Sequence, residues 1–268
     1  MLARLEISGA VEGIDVTTFV TIYAALDRVD FDIRIHKPVS SQKQRLVHVF
    51  PVAASGAVER IETTGAIIRP LRQPDGDLVP GADSKRFAVQ GFVDVSVPGA
   101  GGVTVAPIEA FALRRDLGGI TFEALGNDQN YKEVTQNQAG ETDFRFRYSL
   151  AFHSRDYHAA DLLQWSRNIS MPLLVGRGHL NSSHLPAIRW ASDRAVSICL
   201  KPGEDTGVIL RLWETAGQSE PIPVAATGYR QAAETDLLER DRAVLQLRDH
   251  SVSLPIRPHG FATLRLSR

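Results

Sequence analysis

The sequence predicts an all-β protein with one helix, and three observations predict it. Short runs rich in Val, Ile, Thr, Phe and Tyr recur along the 268 residues, separated by Gly- and Pro-containing turns. Several of these runs alternate apolar and polar residues with a period of two, the mark of a strand with one buried face. Helical spacing stands out in a single stretch, and it sits between two β regions.

Residues 1–35 read as three short strands. Ile14 to Ala25 is β-branched and aromatic. Val29, Phe31, Ile33 and Ile35 face one way, and Asp30, Asp32 and Arg34 the other, as in an antiparallel strand with one wet face. Leu46 to Val52 and Ala66 to Arg69 follow, and then a Pro/Gly/Asp-rich loop from Pro70 to Asp83. Phe87 to Val97 alternates and reads as one strand. Pro98 to Gly102 turns the chain into Val103–Val105, and Gly118-Gly119 joins Ala110–Leu113 to Ile120–Leu125. Gly126 to Gly140 is a long polar loop.

The strand Phe144 to Leu150 is the most regular alternation in the chain. It turns through His153-Ser154-Arg155 into the helix. Asp156 or Ser154 is the expected N-cap; Ala159, Leu162, Leu163, Trp165 or Ser166, and Ile169 supply the apolar stripe; Pro172 ends it. Beyond Gly176-Arg177-Gly178 a second β series comprises Ile188–Trp190, Ala195–Leu200, Val208–Trp213, Ile222–Ala225, Ala243–Leu247 and Phe261–Leu266. Thr235 to Arg242 is a helical turn or a polar loop. The expected division is a large β domain over 1–182, ending in the strand–helix element, and a smaller β-sandwich over 183–268.

Composition narrows the function. Thirty basic residues balance 31 acidic ones, so nucleic acid and anionic membranes, which need concentrated positive charge, are not expected partners. One cysteine, Cys199, permits no internal disulfide and reads as a small core residue. Neither an apolar leader nor a membrane-length apolar run is visible, and a soluble cytoplasmic protein is the expectation. His153 and His158 are five apart, as are His179 and His184, without the i, i+4 spacing of a helical zinc pair. Gly99-Ala100-Gly101-Gly102 and Gly176-Arg177-Gly178 are turns rather than phosphate loops, because neither joins a strand to a helix in a βαβ unit. Arg145 and Arg147 read as an exposed strand face.

Seven landmarks in one order carry a family resemblance. They are Asp27–Phe31, Phe50-Pro51-Val52, Gly65–Pro70, Phe92–Ser96, and the strand–helix element Phe146–Leu150 with His153, Trp165 and Met171–Leu173. Val208–Glu214 with Gly217, and Ile256–Pro258 with Phe261 and Thr263–Leu266, complete the set. Together they resemble the C-terminal β half of family 38 glycoside hydrolases, the α-mannosidases. The resemblance implies a large antiparallel supersandwich of the galactose-mutarotase type, one helix, and a smaller terminal β-sandwich. It implies carbohydrate binding in mannose metabolism, with a catalytic barrel as partner domain or chain.

In that family the zinc ion, the aspartate nucleophile and the acid belong to the upstream barrel. No cofactor is expected in this chain, zinc being implied only for the catalytic domain. A retaining glycosidase needs two carboxyls roughly 5 Å apart, and no such pair is identifiable, so no catalytic residue is assigned. By resemblance the polar loop reaches the sugar, which makes Asn127, Asp128, Asn130 and Tyr131 the candidate substrate-binding residues. Amide, carboxylate and phenol groups match sugar hydroxyls and offer a ring for stacking. Arg211 and Glu214 are expected to make structural contacts. A stand-alone carbohydrate-binding protein and a homo-oligomerisation module are the alternatives.

Overall fold

A computed structural model describes residues 2–52, 54–126, 140–171, 187–190, 192–203 and 207–268. The chain divides into two compact units, one of residues 1–157 with 165–172, the other of residues 158–164 with 173–268.

Among the described residues the first unit holds twelve strands. They are β1 (Leu2–Val11), β2 (Ile14–Tyr23), β3 (Arg28–His36), β4 (Arg45–Phe50), β5 (Val58–Thr63), β6 (Ala66–Ile68), β7 (Arg86–Ala88), β8 (Val93–Val97), β9 (Gly101–Pro107), β10 (Ala112–Arg114), β11 (Ile120–Gly126) and β12 (Asp143–His153). Eight form an antiparallel sheet in the order β1-β2-β3-β12-β9-β8-β5-β6, and four form a second in the order β4-β11-β10-β7. Period-two alternation sends one row of each sheet into a shared core. Ile33, Ile61, Val93, Val105, Tyr148 and Leu150 come from the larger sheet; Phe50, Leu113, Ile120 and Phe122 come from the smaller. Aromatic edges lock the two rows together, with Phe50 and Tyr148 ring centres 5.1 Å apart and Phe31 and Phe50 5.7 Å apart.

The run Phe87 to Val97 is not one strand. Residues up to Ala88 pair with β10 in the smaller sheet, and those from Val93 pair with β5 and β9 in the larger. The transfer is visible in the backbone: Val89 N–H donates to Phe111, and Gln90 N–H donates to Glu62 on β5. Both ends bury the same alternating row in one core, so the sequence pattern runs unbroken through the change of sheet. Gly91 sits at the crossing, where a Cβ would lie 2.0 Å from Glu62 Oε2. β5 falls between the expected strands Leu46–Val52 and Ala66–Arg69, where the sequence pattern predicts none.

The helix α1 (Ala159–Ser170) forms where its spacing predicts, with Ala159, Ala160, Leu162, Leu163 and Ser166 buried along one stripe. Asp156 does not cap it: its Oδ1 accepts the Gly99 N–H at 2.5 Å and ties the β8–β9 turn instead. Pro172 lies outside the described residues.

The second unit holds β13 (Ala187–Trp190), β14 (Ala195–Pro202), β15 (Val208–Glu214), β16 (Ile222–Thr227), β17 (Gln231–Thr235), β18 (Asp241–Leu245), β19 (Ser251–Leu254) and β20 (Phe261–Ser267). They make a three-stranded sheet, β13-β16-β19, and a five-stranded one, β14-β15-β20-β17-β18. Ile222, Val224 and Ala226 alternate inward from β16 against Leu210, Leu212, Leu264 and Leu266. Thr235 to Arg242 resolves into a hairpin turn held by Asp236, whose Oδ1 accepts the Leu238 and Arg240 N–H groups. Cys199 is only half buried, because a register shift between Ser197 and Cys199 turns β14 there.

His48 makes a polar contact to Tyr148, the largest fully buried side chain of the aromatic core. Its Nδ1 lies 2.8 Å from the Tyr148 hydroxyl, within hydrogen-bond distance, and burial pushes the imidazole down to about 4, so the ring is neutral. Tyr148→Phe is expected to cost about 1 kcal/mol, the worth of one buried hydrogen bond. Tyr148→Ala is expected to cost about 3–5 kcal/mol through the cavity it leaves. Chemical denaturation of the three proteins at pH 7 measures both.

Candidate functional site

The wet face of the larger sheet begins as alternating polar positions on β3, β12, β9, β8 and β5. Near β3 it is a lattice of ion pairs. Arg145 grips Asp32 through Nε and Nη2 at 2.8 and 2.9 Å, which holds the Asp32 carboxyl below its ordinary range. Arg147 holds Glu109, and Asp30 accepts from Ser149 and Tyr23. These arginines are an exposed strand face, as the alternation predicts, and their charge is spent on neighbouring carboxylates.

Further along the same face the polar groups are buried. Asp94 on β8 is completely enclosed. Thr104 on β9 and His153 on β12 bind its Oδ1 at 2.8 and 2.9 Å, and Ser96 donates to its Oδ2 at 2.7 Å. Arg60, opposite Asp94 on β5, donates to Ser96 at 3.1 Å and lays its guanidinium 4.0 Å from the centre of the Tyr157 ring. The other nitrogen of His153 faces the Arg155 carbonyl at 2.9 Å. Both ring nitrogens therefore face protein oxygens.

Glu62 lies on the same strand as Arg60, two residues on. It is 2% exposed, and burial pushes its carboxyl up to about 7 against the pull of Arg167. Asp94 and Glu62 are thus two carboxyls on one face, but both are enclosed and Asp94 has its oxygens filled. The arrangement holds strands together and offers no acid–base pair to a sugar.

Beside Asp94 and its partners a cleft of about 910 Å³ opens, lined among others by Asp27, Gly101, Phe152, His153 and Arg155. Gly101, at φ 88°, lets β9 come against β12, where a Cβ would lie 2.1 Å from the His153 carbonyl. Phe152 is half exposed. A ring, a carboxylate and a guanidinium on one wall are the groups that polyhydroxylated ligands use. Sequence reasoning missed this wall. Its signal was the turn after β12, whose residues read as a connection to the helix. A second hollow of about 420 Å³ lies on the smaller sheet beside Arg45, Arg86, Phe111, Arg114 and Glu123. There Arg114 is clamped by Asp116 and Glu123.

Asn127, Asp128, Asn130 and Tyr131 lie outside the described residues, as do His179 and His184. His158 Nδ1 lies 3.1 Å from Asp161 on its own helix. Among the described residues no group of three or more His, Cys, Asp or Glu is placed to hold a metal ion. Among the described residues no helix is long and apolar enough to cross a membrane.

In the second unit Glu214 plays a part comparable to Asp94. It is fully buried; its Oε1 accepts the Ala216 N–H, and its Oε2 accepts the Gly217 and His259 N–H groups at 2.9 and 2.8 Å. Burial alone would raise its pKa, but the backbone donors of His259, Ala216, Gln218 and Gly217 outweigh it and hold the carboxyl below its ordinary range. Arg211 donates to Thr263 Oγ1 and the Leu237 carbonyl. Both residues make the structural contacts expected of them.

Residues 196–264 match the family model of the glycosyl hydrolases family 38 C-terminal beta sandwich domain. No curated protein sequence matches the chain. Among solved structures the chain is similar to an alpha-mannosidase from Enterococcus faecalis V583, with a TM-score of 0.71 and 16% identity over 94% of this chain. It is also similar to a protein in the glycosyl hydrolase family 38 from Enterococcus faecalis, with a TM-score of 0.67 and 16% identity over 94% of this chain. The chain spans 29% and 30% of those two chains. The likeness is one of fold, an all-β architecture whose described residues include the helix α1.

Two measurements test the buried carboxyls. Asp94→Ala strands three donors and an arginine and is expected to cost about 3–5 kcal/mol, with Asp94→Asn milder, by urea denaturation. Glu62 has a folded pKa above its unfolded value of 4.5. Its contribution is therefore fully present below pH 4.5 and lost as pH rises through 7. The loss amounts to about 3 kcal/mol at alkaline pH. Glu62→Gln should remove that loss, leaving the variant more stable than wild type at pH 8.5 and no better at pH 4.5. Parallel pH profiles would contradict this.

Proposed function

We propose that this chain is the C-terminal β portion of an α-mannosidase-like glycoside hydrolase. It buttresses a catalytic barrel in the cytoplasm, lends the loop residues Asn127, Asp128, Asn130 and Tyr131 to mannoside binding, and is not catalytic alone. The observation that carries the reading is the combination of a family match within the second unit and a fold likeness over nearly the whole chain that accounts for less than a third of each matched protein. The internal chemistry supports it. The buried carboxyls Asp94 and Glu214 are spent on holding strands and turns, as a supporting domain requires.

A second reading is a stand-alone carbohydrate-binding protein of the mutarotase-like type. The cleft beside Phe152 and Arg155 favours it, because a ring and charged groups there could grip a sugar without a barrel.

The test is an aryl α-mannoside assay on the purified chain, with and without zinc, alongside titration with methyl α-mannoside. No turnover in either condition is the expected result, and turnover by the chain alone would overturn the reading. In the complex with its barrel, Asn130→Ala and Tyr131→Ala are expected to weaken mannoside binding by about tenfold. Binding to the isolated chain that Phe152→Ala abolishes would favour the second reading.

A further inference from the structure

β1 is the edge of the eight-stranded sheet, and its protection is slight: two charges of opposite sign, Arg4 and Glu6, and neither bulge nor proline. It pairs with β2 in an unbroken ten-residue register from Leu2↔Tyr23 to Val11↔Ile14, without a bulge and without proline. Its other side has no strand partner among the described residues. Every one of its ten residues is exposed, including Leu2, Leu5, Ile7 and Val11 at 53–60%. Long, regular, apolar edge strands are templates for a further strand.

We propose that β1 pairs antiparallel with β1 of a second copy of this chain, joining two eight-stranded sheets into one across a two-fold axis. The charges of the strand select the register. In an antiparallel pair, residues directly opposite are of one hydrogen-bonding type. Under two-fold symmetry the numbers of opposed residues must then sum to an even value. A sum of eight sets Arg4 against Arg4 of the partner subunit, and a sum of twelve sets Glu6 against Glu6 of the partner subunit. Like charges directly opposite are destabilising. A sum of fourteen sets Arg4 against Ala10, Glu6 against Ser8 and Leu5 against Gly9, leaving the charges and the leucine without matching partners. A sum of ten sets Arg4 against Glu6 twice over, Leu5 against Leu5, and Ala3 against Ile7 on the other face. That register is complementary in charge and in apolar contact.

The side chains are available for it. Glu6 has no ion-pair partner among the described residues. Arg4 rests its guanidinium 4.1 Å from the centre of the Phe19 ring, an exposed contact that leaves its donors open.

Sedimentation equilibrium of the purified chain over a dilution series tests the proposal. A reversible dimer is expected. Arg4→Glu and Glu6→Arg should each weaken it by about tenfold or more, because each opposes like charges at two positions. Mixing the two single variants should restore association as a heterodimer, and the double variant Arg4→Glu/Glu6→Arg should dimerise like wild type. Circular dichroism confirms that each variant is folded. A monomeric wild-type chain, or a dimer indifferent to both single variants, would overturn the proposal.

Discussion

A buried carboxylate can remain in a protein only if nearly every lone pair finds a donor, and the larger sheet is organised to meet that demand at Asp94. Its partners come from three further places: Thr104 on β9, His153 at the end of β12, and Ser96 on its own strand, with Arg60 of β5 behind Ser96. Four strands are thereby held in one register by one side chain. The apolar core on the other face would tolerate small slips of pairing, since Val, Ile and Leu interchange at modest cost. A slip that moved any of these donors would leave an unpaired charge out of water, so the polar face sets the register that the core then fills.

The terminal unit solves a similar problem with Glu214. Here the donors are backbone N–H groups of Ala216, Gly217 and His259, so the carboxylate ties the end of β15 to the segment entering β20. Gly217 is required for the same reason. Its φ of 76° is a conformation that side-chain-bearing residues rarely adopt, and a Cβ there would also displace the His259 ring, 2.7 Å away. The two units therefore use their most costly buried groups for architecture.

Much of this was legible in the sequence. Val29–Ile35 and Phe144–Leu150 alternate so strictly that their pairing faces could be read residue by residue, and they do pair, Val29 against Leu150 and Ile35 against Phe144. The helix was equally plain. The motif from Val208 to Gly217 placed Glu214 in a turn contact, and the family match covers that stretch. Other features were hidden for physical reasons. Asp156 has the composition of a cap, but the nearby N–H of Gly99 took its carboxylate. β5 shows weak alternation, Val58-Glu59-Arg60-Ile61-Glu62-Thr63, because polar residues stand on both of its faces, with Arg60 half-buried and Glu62 buried. The Phe152 wall combines the end of β12 with the β8–β9 turn, and their closeness follows from strand order rather than from spacing.

The sequence by itself determined the all-β class, the helix α1 and most strand faces, because period-two alternation, helical spacing and turn residues are local and act within a few positions. It also supplied the ordered motifs of the family 38 resemblance. Only the tertiary structure decided which strands adjoin, where the chain changes sheets at Gly91, and which polar residues converge on Asp94. Those outcomes depend on pairs such as Asp94 with His153, far apart in the chain, whose meeting is set by packing eight strands in one order. No local pattern contains that order.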